Sequence, residues 1–359
     1  MAPHSLDTPL NIINIAFLGT PDFSVPCLQA CLNSEALQIQ AVITQPDRPA
    51  GRGKKILPTP VKQHVLDNAS DIPIYQPSSI RKDAELIGIL KDLNPDYLVT
   101  IAFGQILSQE VLDIPKYGTV NVHASLLPKF RGANPIQQAI IQGETETGLT
   151  TMLTDIGVDT GDMLLKTTIP ITSETTSLDL QNNLSQAAGE LLINTLTQHA
   201  SGKLLPTPQN HDEATHAPKA KKEDATINWH QSAQQLDWKI RGQQPWPGAV
   251  TLFDGSPLKI IHSTLIQQGA ETSNNTAQAD KQAAGTLAGT LLGLKNGVLS
   301  VTTGDGVLGI TQVQPTGKKP MPVSDWINGL KAKGIRLNHP DSEQPILFQS
   351  EPMTEKAPN

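Results

Sequence analysis

Two short segments of the sequence carry side chains whose types and spacing suit acyl transfer. In the first, Asn121 and His123 lie two residues apart near the end of an apolar run, so on a strand both side chains point to the same face. An amide and an imidazole on one face can donate two hydrogen bonds to the negative oxygen of a tetrahedral transition state. An isolated Asn-x-His pair is also typical of polar side chains that cap a strand end, and spacing alone leaves this alternative open.

The second segment, residues 155–162, contains three carboxylates and two glycines. Its spacing is not that of an EF-hand, although an acidic loop of this kind could bind calcium or form a solvated turn. A third interpretation brings one of its carboxylates beside Asn121 and His123, where it would accept a proton.

The elements that must position these residues alternate between strand and helix, which predicts an open α/β sheet with mostly parallel strands. Ligands bind at the carboxyl ends of the strands of such a sheet, and Asn121 and His123 lie at the end of a predicted strand. Gly19 is not part of a G-x-G-x-x-G fingerprint, so the sheet is Rossmann-like without a dinucleotide signature. The predicted strands are 11–18, 39–43, 96–101, 118–123, 149–153 and 163–171, and the predicted helices are 23–32, 61–68, 84–93, 136–142 and 178–200.

The pattern changes after the last of these helices, which predicts a second domain that follows the α/β domain of residues 1–202. Residues 203–221 contain prolines and few apolar side chains, and are typical of a linker. Residues 222–336 contain short strands separated by Asn-Gly and Asp-Gly turns, which favours a sandwich or a small β-barrel of the oligonucleotide-binding (OB-like) type. We further predict a disordered insertion at 267–284 and a flexible tail at 337–359.

Composition and charge limit the classes of partner. The 359 residues carry a net charge of −7, which argues against a simple nucleic-acid-binding protein. The charge is uneven, because residues 1–201 have a net charge of −8 and residues 222–336 have one of +3. A polyanion would therefore bind to the C-terminal part or to local basic loops.

Three features predict a soluble cytoplasmic protein. Cys27 and Cys31 are one helical turn apart, and we expect half-buried thiols without special chemistry, as suits a reducing compartment. The first residues lack a signal-peptide pattern, and no run approaches the ~18 apolar residues of a membrane span.

Basic residues cluster at two places that could contact RNA. Residues 48–62 contain five cations and no acid, and their glycines and prolines predict an exposed loop that grips RNA phosphates or is merely solvated. This loop lacks the spacing of a phosphate-binding P-loop. Trp229, Trp238 and Trp246 could stack on bases, although such aromatics are more often core residues. The candidate RNA contacts are Arg48, Arg52, Lys54 and Lys55 in the loop, with Lys318 and Lys319 in a polar turn of the C-terminal domain.

The run from Asn121 to Gly132, N-V-H-A-S-L-L-P-K-F-R-G, together with Asp159 further along the chain, resembles the signature of the 10-formyltetrahydrofolate-dependent formyltransferases. The resemblance implies that Asn121, His123 and Asp159 are the catalytic residues. It also implies a folate co-substrate and a reaction that needs neither a metal nor a covalent enzyme intermediate. The implied folate-binding residues are Ser125, Leu126, Leu127 and Pro128.

Further motifs are similar to those of the branch of this family that acts on methionyl initiator tRNA, and the resemblance extends from about residue 12 to about residue 335. In that branch the loop after the second strand enters the acceptor end of the tRNA, with Arg52 at the position of a key arginine. The resemblance thus implies the folate and the tRNA as partners of a monomeric protein. A formyltetrahydrofolate hydrolase, an amino-sugar-nucleotide formyltransferase and a non-catalytic RNA-binding module stay open as alternatives. The motifs are 19–23, 44–55, 159–164, 245–249 and 317–321.

Overall fold

The computed structural model describes residues 12–50, 55–266, 287–332 and 346–350, and the chain divides into two compact units. Unit 1 comprises residues 1–135, 146–170 and 180–217, and unit 2 comprises residues 136–145, 171–179 and 218–359. Two short segments of the predicted first domain therefore belong to unit 2. Domain boundaries predicted from the sequence miss such segments, because the boundaries follow the order of the residues and not their contacts.

The strands of unit 1 form one large sheet and two short pairs. They are β1 (Ile13–Gly19), β2 (Leu37–Ile43), β3 (Arg48–Ala50), β4 (Lys55–Leu57), β5 (Ile74–Tyr75), β6 (Tyr97–Ile101), β7 (Thr119–His123), β8 (Arg131–Gly132), β9 (Glu146–Leu153), β10 (Met163–Pro170) and β11 (His216–Ala217). The large sheet has the order β10-β9-β7-β6-β1-β2-β5. Its neighbours from β7 to β5 are parallel, while β9 is antiparallel to both β7 and β10. This confirms the predicted Rossmann-like, mostly parallel sheet.

The helices are α1 (Val25–Leu32), α2 (Pro60–Asn68), α3 (Ala84–Leu93), α4 (Gln109–Leu112), α5 (Pro135–Ile141), α6 (Ser177–Ala200), α7 (Ala233–Gly242) and α8 (Val323–Ala332). Local sequence explains where several of them begin and end. Thr59 precedes α2 and caps it by accepting a hydrogen bond from a backbone N–H of its first turn. Asp83 caps α3 in the same way, and Asn94 ends that helix in the left-handed conformation. Among the described residues, no helix is both long and apolar enough to span a bilayer.

The core of unit 1 forms around strands that are apolar along most of their length, as expected for a parallel sheet buried on both faces. Leu18 of β1, Leu98 of β6 and Leu90 of α3 are fully buried in one cluster. On α1, Cys27 and Cys31 are both free thiols, and they are fully buried, which is deeper than predicted. A hydrogen bond with Cys31, together with burial, raises the pKa of the Cys27 thiol well above its usual range.

The segment predicted as a linker, residues 203–221, is largely part of unit 1. Its strand β11 pairs in parallel with β8, and Thr207 exchanges two backbone hydrogen bonds with Met163. Residues as far as 217 therefore belong to unit 1, which corrects the linker prediction. Backbone hydrogen bonds hold this segment, and such bonds leave no apolar period in the sequence.

Unit 2 contains an antiparallel sheet, which confirms the predicted β domain. Its strands are β12 (Ala249–Phe253), β13 (Ser256–Leu265), β14 (Leu291–Lys295), β15 (Val298–Thr302), β16 (Val307–Pro315) and β17 (Met321–Pro322). The order is β12-β13-β16-β15-β14, with β17 paired to β16. At the two edges, Leu252 of β12 exchanges backbone hydrogen bonds with Gln349, and Leu291 of β14 donates one to Ile346. Residues 346–350 thus bind both edge strands and close the sheet into a barrel.

This closing segment falls within the predicted flexible tail and corrects that prediction for residues 346–350. Phe348 is 2% exposed, and its ring stacks on that of Trp229 with 5.3 Å between the centroids. One aromatic side chain in a polar stretch suffices to dock the segment, because aromatic burial contributes a large apolar area. The rest of the predicted tail after residue 336, and the predicted insertion at 267–284, lie outside the described residues.

Candidate active site

The carboxyl end of β7 places Asn121 beside β6. Thr100 of β6 is its neighbour in the sheet, and the Thr100 hydroxyl donates a hydrogen bond of 2.9 Å to Asn121 Oδ1. Because this bond occupies the oxygen of the amide, Nδ2 is the end that can donate to a ligand. Thr100 was not predicted as a site residue, although a polar residue near the end of an apolar strand was a usable signal.

His123 lies at the end of the same strand and is buried, so both of its ring nitrogens face protein groups. Its Nε2 is 2.9 Å from the carbonyl oxygen of Phe130, and since a carbonyl only accepts, Nε2 carries the hydrogen. Its Nδ1 is 3.6 Å from Oδ1 of Asp159. That distance exceeds an ordinary hydrogen bond, so the two groups attract each other as charges when the imidazole is protonated.

Asp159 reaches His123 from the loop between β9 and β10. Its φ angle is 52°, in the left-handed region, where residues other than glycine are uncommon and aspartate is enriched. The backbone N–H of Gly132 donates a hydrogen bond of 2.8 Å to the second carboxylate oxygen of Asp159. The structure therefore brings Asp159 to His123 and places Asn121 two residues away on the same strand. A backbone donor such as that of Gly132 has no sequence signature.

The other carboxylates of the loop do not share this position. Asp155 accepts hydrogen bonds from the N–H of Gly157 and the hydroxyl of Thr160, and so it organises the turn itself. Asp162 is exposed. Within the part of the chain that the structure describes, no group of three or more His, Cys, Asp or Glu side chains is arranged to hold a metal ion.

The predicted folate segment, residues 125–128, follows β7 and is fixed by Thr150 of β9. The Thr150 hydroxyl donates to the carbonyl of Ser125 at 2.7 Å and accepts from the N–H of Leu127 at 3.1 Å. Ser125 and Leu127 are buried, whereas Leu126 and Pro128 are half-buried. Leu126 and Pro128 are therefore the members of this segment whose side chains are accessible to a ligand.

The segment receives a further bond from β10. Lys166 donates a hydrogen bond of 2.6 Å from Nζ to the carbonyl of Leu127. Partial burial lowers the pKa of this lysine, while the charge of Glu213 acts in the opposite direction. Lys166 thus supports the backbone of the loop from a predicted strand in which no site residue was expected.

The predicted basic loop is a hairpin in which β3 and β4 pair antiparallel, with Arg48 opposite Leu57. Arg48 and Lys55 are exposed on its two strands. Arg52 and Lys54 lie outside the described residues, so the structure does not place these two predicted contacts.

A polar cluster stands at the base of this hairpin. Lys62 forms an ion pair of 2.6 Å with Asp47 and donates a second hydrogen bond to Gln76, whose amide in turn donates to Asp47. The hydrogen bond from Lys62 is the main cause that lowers the pKa of Asp47, and the bond from Gln76 adds to it. Lys62 is therefore bound to an acid and differs from the exposed cations of the hairpin.

In unit 2 the residues considered as RNA contacts are either exposed or part of the core. Lys318 and Lys319 are exposed in the turn between β16 and β17. Trp229 is a core residue whose Nε1 donates to Thr251, whereas Trp246 is 54% exposed.

Comparisons with known proteins identify the family of both domains. Residues 13–196 match the formyl transferase family, and residues 219–331 match the formyl transferase C-terminal domain. The methionyl-tRNA formyltransferase of Clostridium perfringens (strain SM101 / Type A) is 43% identical over 317 residues, which cover 88% of this chain and 97% of that protein.

Two solved structures share the fold at low identity. One is WlaRD, a sugar 3N-formyl transferase crystallised with dTDP and 5-N-formyl-THF, with a TM-score of 0.59, 19% identity and coverage of 86% of this chain and 99% of WlaRD. The other is HypX from Aquifex aeolicus in complex with tetrahydrofolic acid, with a TM-score of 0.57, 18% identity and coverage of 94% of this chain and 50% of HypX. From the two matched domains and the 43% identity it follows that this chain belongs to the formyl transferase family.

Proposed function

We propose that this chain transfers the formyl group of 10-formyltetrahydrofolate to the α-amino group of methionyl initiator tRNA, which supplies N-formylmethionyl-tRNA for translation initiation. The observation that carries the proposal is the 43% identity to a methionyl-tRNA formyltransferase across 88% of the chain. The sugar formyltransferase shares the fold at only 19% identity, so its acceptor does not transfer to this chain.

The reaction begins when the neutral amine of methionine attacks the formyl carbon. A new C–N bond forms, and a tetrahedral centre develops a negative oxygen. Asn121 donates to that oxygen through Nδ2, the end of its amide that Thr100 leaves available. His123 supplies the second donor as an imidazolium, because Nε2 already donates to the carbonyl of Phe130 and Nδ1 carries a hydrogen only when the ring is protonated. This Nδ1 is 3.6 Å from Asp159 and is not held in a short hydrogen bond.

Asp159 accepts the proton that the attacking amine loses, directly or through a water molecule. The bond between the formyl carbon and N10 of the folate then breaks, and the proton ends on N10 of the departing tetrahydrofolate, so that atoms and charges balance. The same carboxylate orients the imidazole of His123. Leu126 and Pro128 present their side chains to the folate, on a loop fixed by Thr150.

The acceptor tRNA is held by basic side chains that neutralise its phosphates. Arg48 and Lys55 provide such charges on the strands of the hairpin, with Arg52 and Lys54 between them in the sequence. Lys318 and Lys319 provide a second basic site on the β domain. We place the enzyme in the cytoplasm, the compartment of translation, where its two free thiols stay reduced. We expect it to act as a monomer, which sedimentation of the purified protein tests.

The deciding experiment compares formylation of methionyl initiator tRNA with that of methionyl elongator tRNA by the purified protein and 10-formyltetrahydrofolate. We expect transfer to the initiator tRNA, lost in Asp159→Ala. Release of formate without transfer to either tRNA would replace the proposal with a hydrolase. If the folate is consumed only with an amino-sugar nucleotide, a sugar formyltransferase replaces it, and tight RNA binding without folate turnover indicates a binding module.

A further inference from the structure

Gln209 connects two parts of the active-site scaffold from within the segment that sequence analysis predicted as a linker. Its side chain is 5% exposed, and all four hydrogen-bonding positions of its amide are used. Nε2 donates to the backbone carbonyls of Asp159 at 2.9 Å and Gly161 at 2.7 Å. Oε1 accepts two hydrogen bonds from the guanidinium of Arg131, at 3.0 Å from Nε and 2.7 Å from Nη2.

The orientation of this amide is fixed by its partners. Arg131 is buried and its guanidinium only donates, while the two backbone carbonyls only accept. Rotating the Gln209 amide by half a turn would set donors against Arg131 and an acceptor against the carbonyls, so all four bonds would be lost. A buried amide with a single possible orientation is a rigid connection between the groups that it joins.

These groups form a closed ring around Asp159. Gln209 holds the backbone carbonyl of Asp159, and Arg131, the residue held by Oε1, precedes Gly132 in β8. Gly132 N–H in turn donates to the carboxylate of Asp159. One side chain thereby ties the backbone of Asp159 to the strand that binds its carboxylate.

Asp159 needs such support because of its conformation. Its φ angle of 52° lies in the left-handed region, which is strained for a residue that has a Cβ atom and persists only where the surroundings enforce it. Gln209 binds the carbonyls on both sides of Thr160, so it holds the turn that produces this conformation.

Gln209 is itself held by the chain that surrounds it. Downstream, Thr215 accepts a hydrogen bond from the N–H of Phe130 through its hydroxyl and another from the N–H of Arg131 through its carbonyl. His211 accepts a further bond from the Arg131 guanidinium. The segment that carries Gln209 is thus braced against the loop after β7.

We propose that Gln209 is a positioning residue, which fixes the backbone of Asp159 so that the carboxylate stands against His123. The inference rests on the proposed catalytic role of Asp159. Gln209 acts on the rate of the chemical step and not on substrate binding, because it contacts the backbone of the loop.

The test compares Gln209→Ala and Gln209→Glu with the wild type in steady-state formylation, which gives kcat and KM, and in single-turnover formylation, which isolates the chemical step. Gln209→Glu keeps the shape and the acceptor for Arg131, but it sets a carboxylate oxygen against two carbonyls. We expect kcat to fall by about 10- to 100-fold in both variants, since a displacement near 1 Å in an active site can cost that much, with KM for folate and tRNA nearly unchanged. A larger effect on KM than on kcat would overturn the proposal, as would wild-type rates in Gln209→Glu.

The control and a second background separate positioning from general stability. Gln40 of β2 also donates to a backbone carbonyl, that of Leu93, and Gln40→Ala is expected to leave kcat unchanged. In an Asp159→Asn background, Gln209→Ala should lower the residual rate by less than about twofold, because both changes act on the same group. An equal loss in both backgrounds would show a merely structural role.

A crystal structure of Gln209→Ala gives an independent readout. Asp159 should leave the left-handed conformation while Asn121 and His123 keep their places, and an unchanged Asp159 would contradict the proposal. If the wild type releases formate and forms no formylmethionyl-tRNA, the proposed function fails. In that case the Gln209 variants are compared with the wild type by their rates of formate release, and this comparison still decides the role of Gln209.

Discussion

The hydrogen bond between Thr100 and Asn121 determines which atom of the amide meets the substrate. An oxyanion requires a donor, and the Thr100 hydroxyl binds the Oδ1 end, so Nδ2 is presented. The chemistry of Asn121 therefore depends on a residue of the neighbouring strand as well as on its own type.

Replacing Asn121 or Thr100 tests this arrangement. Asn121→Asp replaces the donor by a carboxylate oxygen, which repels a developing oxyanion, so the single-turnover formylation rate should fall by roughly 10²–10³. Thr100→Val removes only the orienting bond and should cost less. A rate for Asn121→Asp within twofold of the wild type would remove this residue from the mechanism.

The burial of Cys27 can be tested through the reactivity of its thiol. The pKa of its thiol is raised in the folded protein, so the folded thiol stays protonated at a pH where an unfolded one ionises. Its contribution to stability is therefore fully present below the pKa of the unfolded chain, near 8.5. That contribution is lost as the pH rises through the pKa of the folded protein. A thiol reagent at pH 8 should label the native protein slowly and the urea-unfolded protein fast. Rapid labelling of Cys27 in the native protein would contradict this burial, and mass spectrometry of the labelled peptides checks it.

For the individual site residues, the sequence predicted which side chains take part better than it predicted the groups that hold them. Asn121, His123 and Asp159 could be proposed because two of them share a strand face and all three match a family signature. Their supports could not, because the N–H of Gly132 and the carbonyl of Phe130 are backbone groups present at almost every position.

Among the elements, the basic hairpin of β3 and β4 depends on the polar cluster at its base. Asp47, Lys62 and Gln76 bind one another, and Asp47 directly precedes β3. A hairpin held at its base presents its cations in fewer arrangements, which lowers the entropy cost of gripping an RNA.

We therefore predict that Asp47→Asn weakens tRNA binding severalfold while KM for the folate stays unchanged. Loss of a negative charge alone would favour binding of an anion, so weaker binding has to come from the geometry of the hairpin. Asp67→Asn, an exposed site on α2, removes the same charge and is the matched control. Filter binding measures both variants, and equal affinities would contradict the role of the cluster.

Acidic pH should act on the same cluster. Because the pKa of Asp47 is lowered, its stabilising pair with Lys62 is complete above the unfolded value near 3.9 and is lost as pH falls through the folded value. The hairpin anchor is therefore intact at neutral pH.

The predicted elements illustrate what patterns can and cannot supply. Strands such as β6 and helices such as α3 were predicted because apolar periods mark buried faces. The pairing of β11 with β8 was not predicted, because strands of two residues that are held by backbone hydrogen bonds show no apolar period in the sequence. The hairpin was predicted as a loop for the same reason, because its strands are exposed.

The whole molecule distributes its charge unevenly, with an acidic first part and a basic region from 222 to 336. The affinity of such a protein for a polyanion should depend on few cations, so the loss of any one of them should lower that affinity measurably.

Replacing Lys318 and Lys319 by alanine should reduce the slope of log affinity against log salt by about 1.4 to 1.8, since each phosphate contact contributes about 0.7 on a single strand and about 0.9 on a DNA duplex. The folate-dependent chemistry at saturating tRNA should stay unchanged. The control is the pair Lys295→Ala and Lys331→Ala, which removes the same charge from other exposed positions. Equal slopes for the two double variants would exclude Lys318 and Lys319 as specific contacts.

The closing segment of the barrel leads to a last prediction. Phe348→Ala removes a ring packed between Trp229 and Trp326, and it should destabilise unit 2 by about 3–5 kcal/mol. Urea unfolding followed by tryptophan fluorescence measures this change, with Leu287→Ala, an exposed apolar position of the same unit, as the control. A loss below about 1 kcal/mol would mean that the segment is not an integral part of the barrel.

The same segment sets an order for folding during synthesis. Residues 346–350 emerge from the ribosome long after the last residue of unit 1, yet they cover the edges of both β12 and β14. Until they arrive, two strands offer unpaired backbone groups, which is the state in which β proteins associate with one another. The nascent β domain therefore carries two open strand edges during synthesis, and such edges favour association between chains.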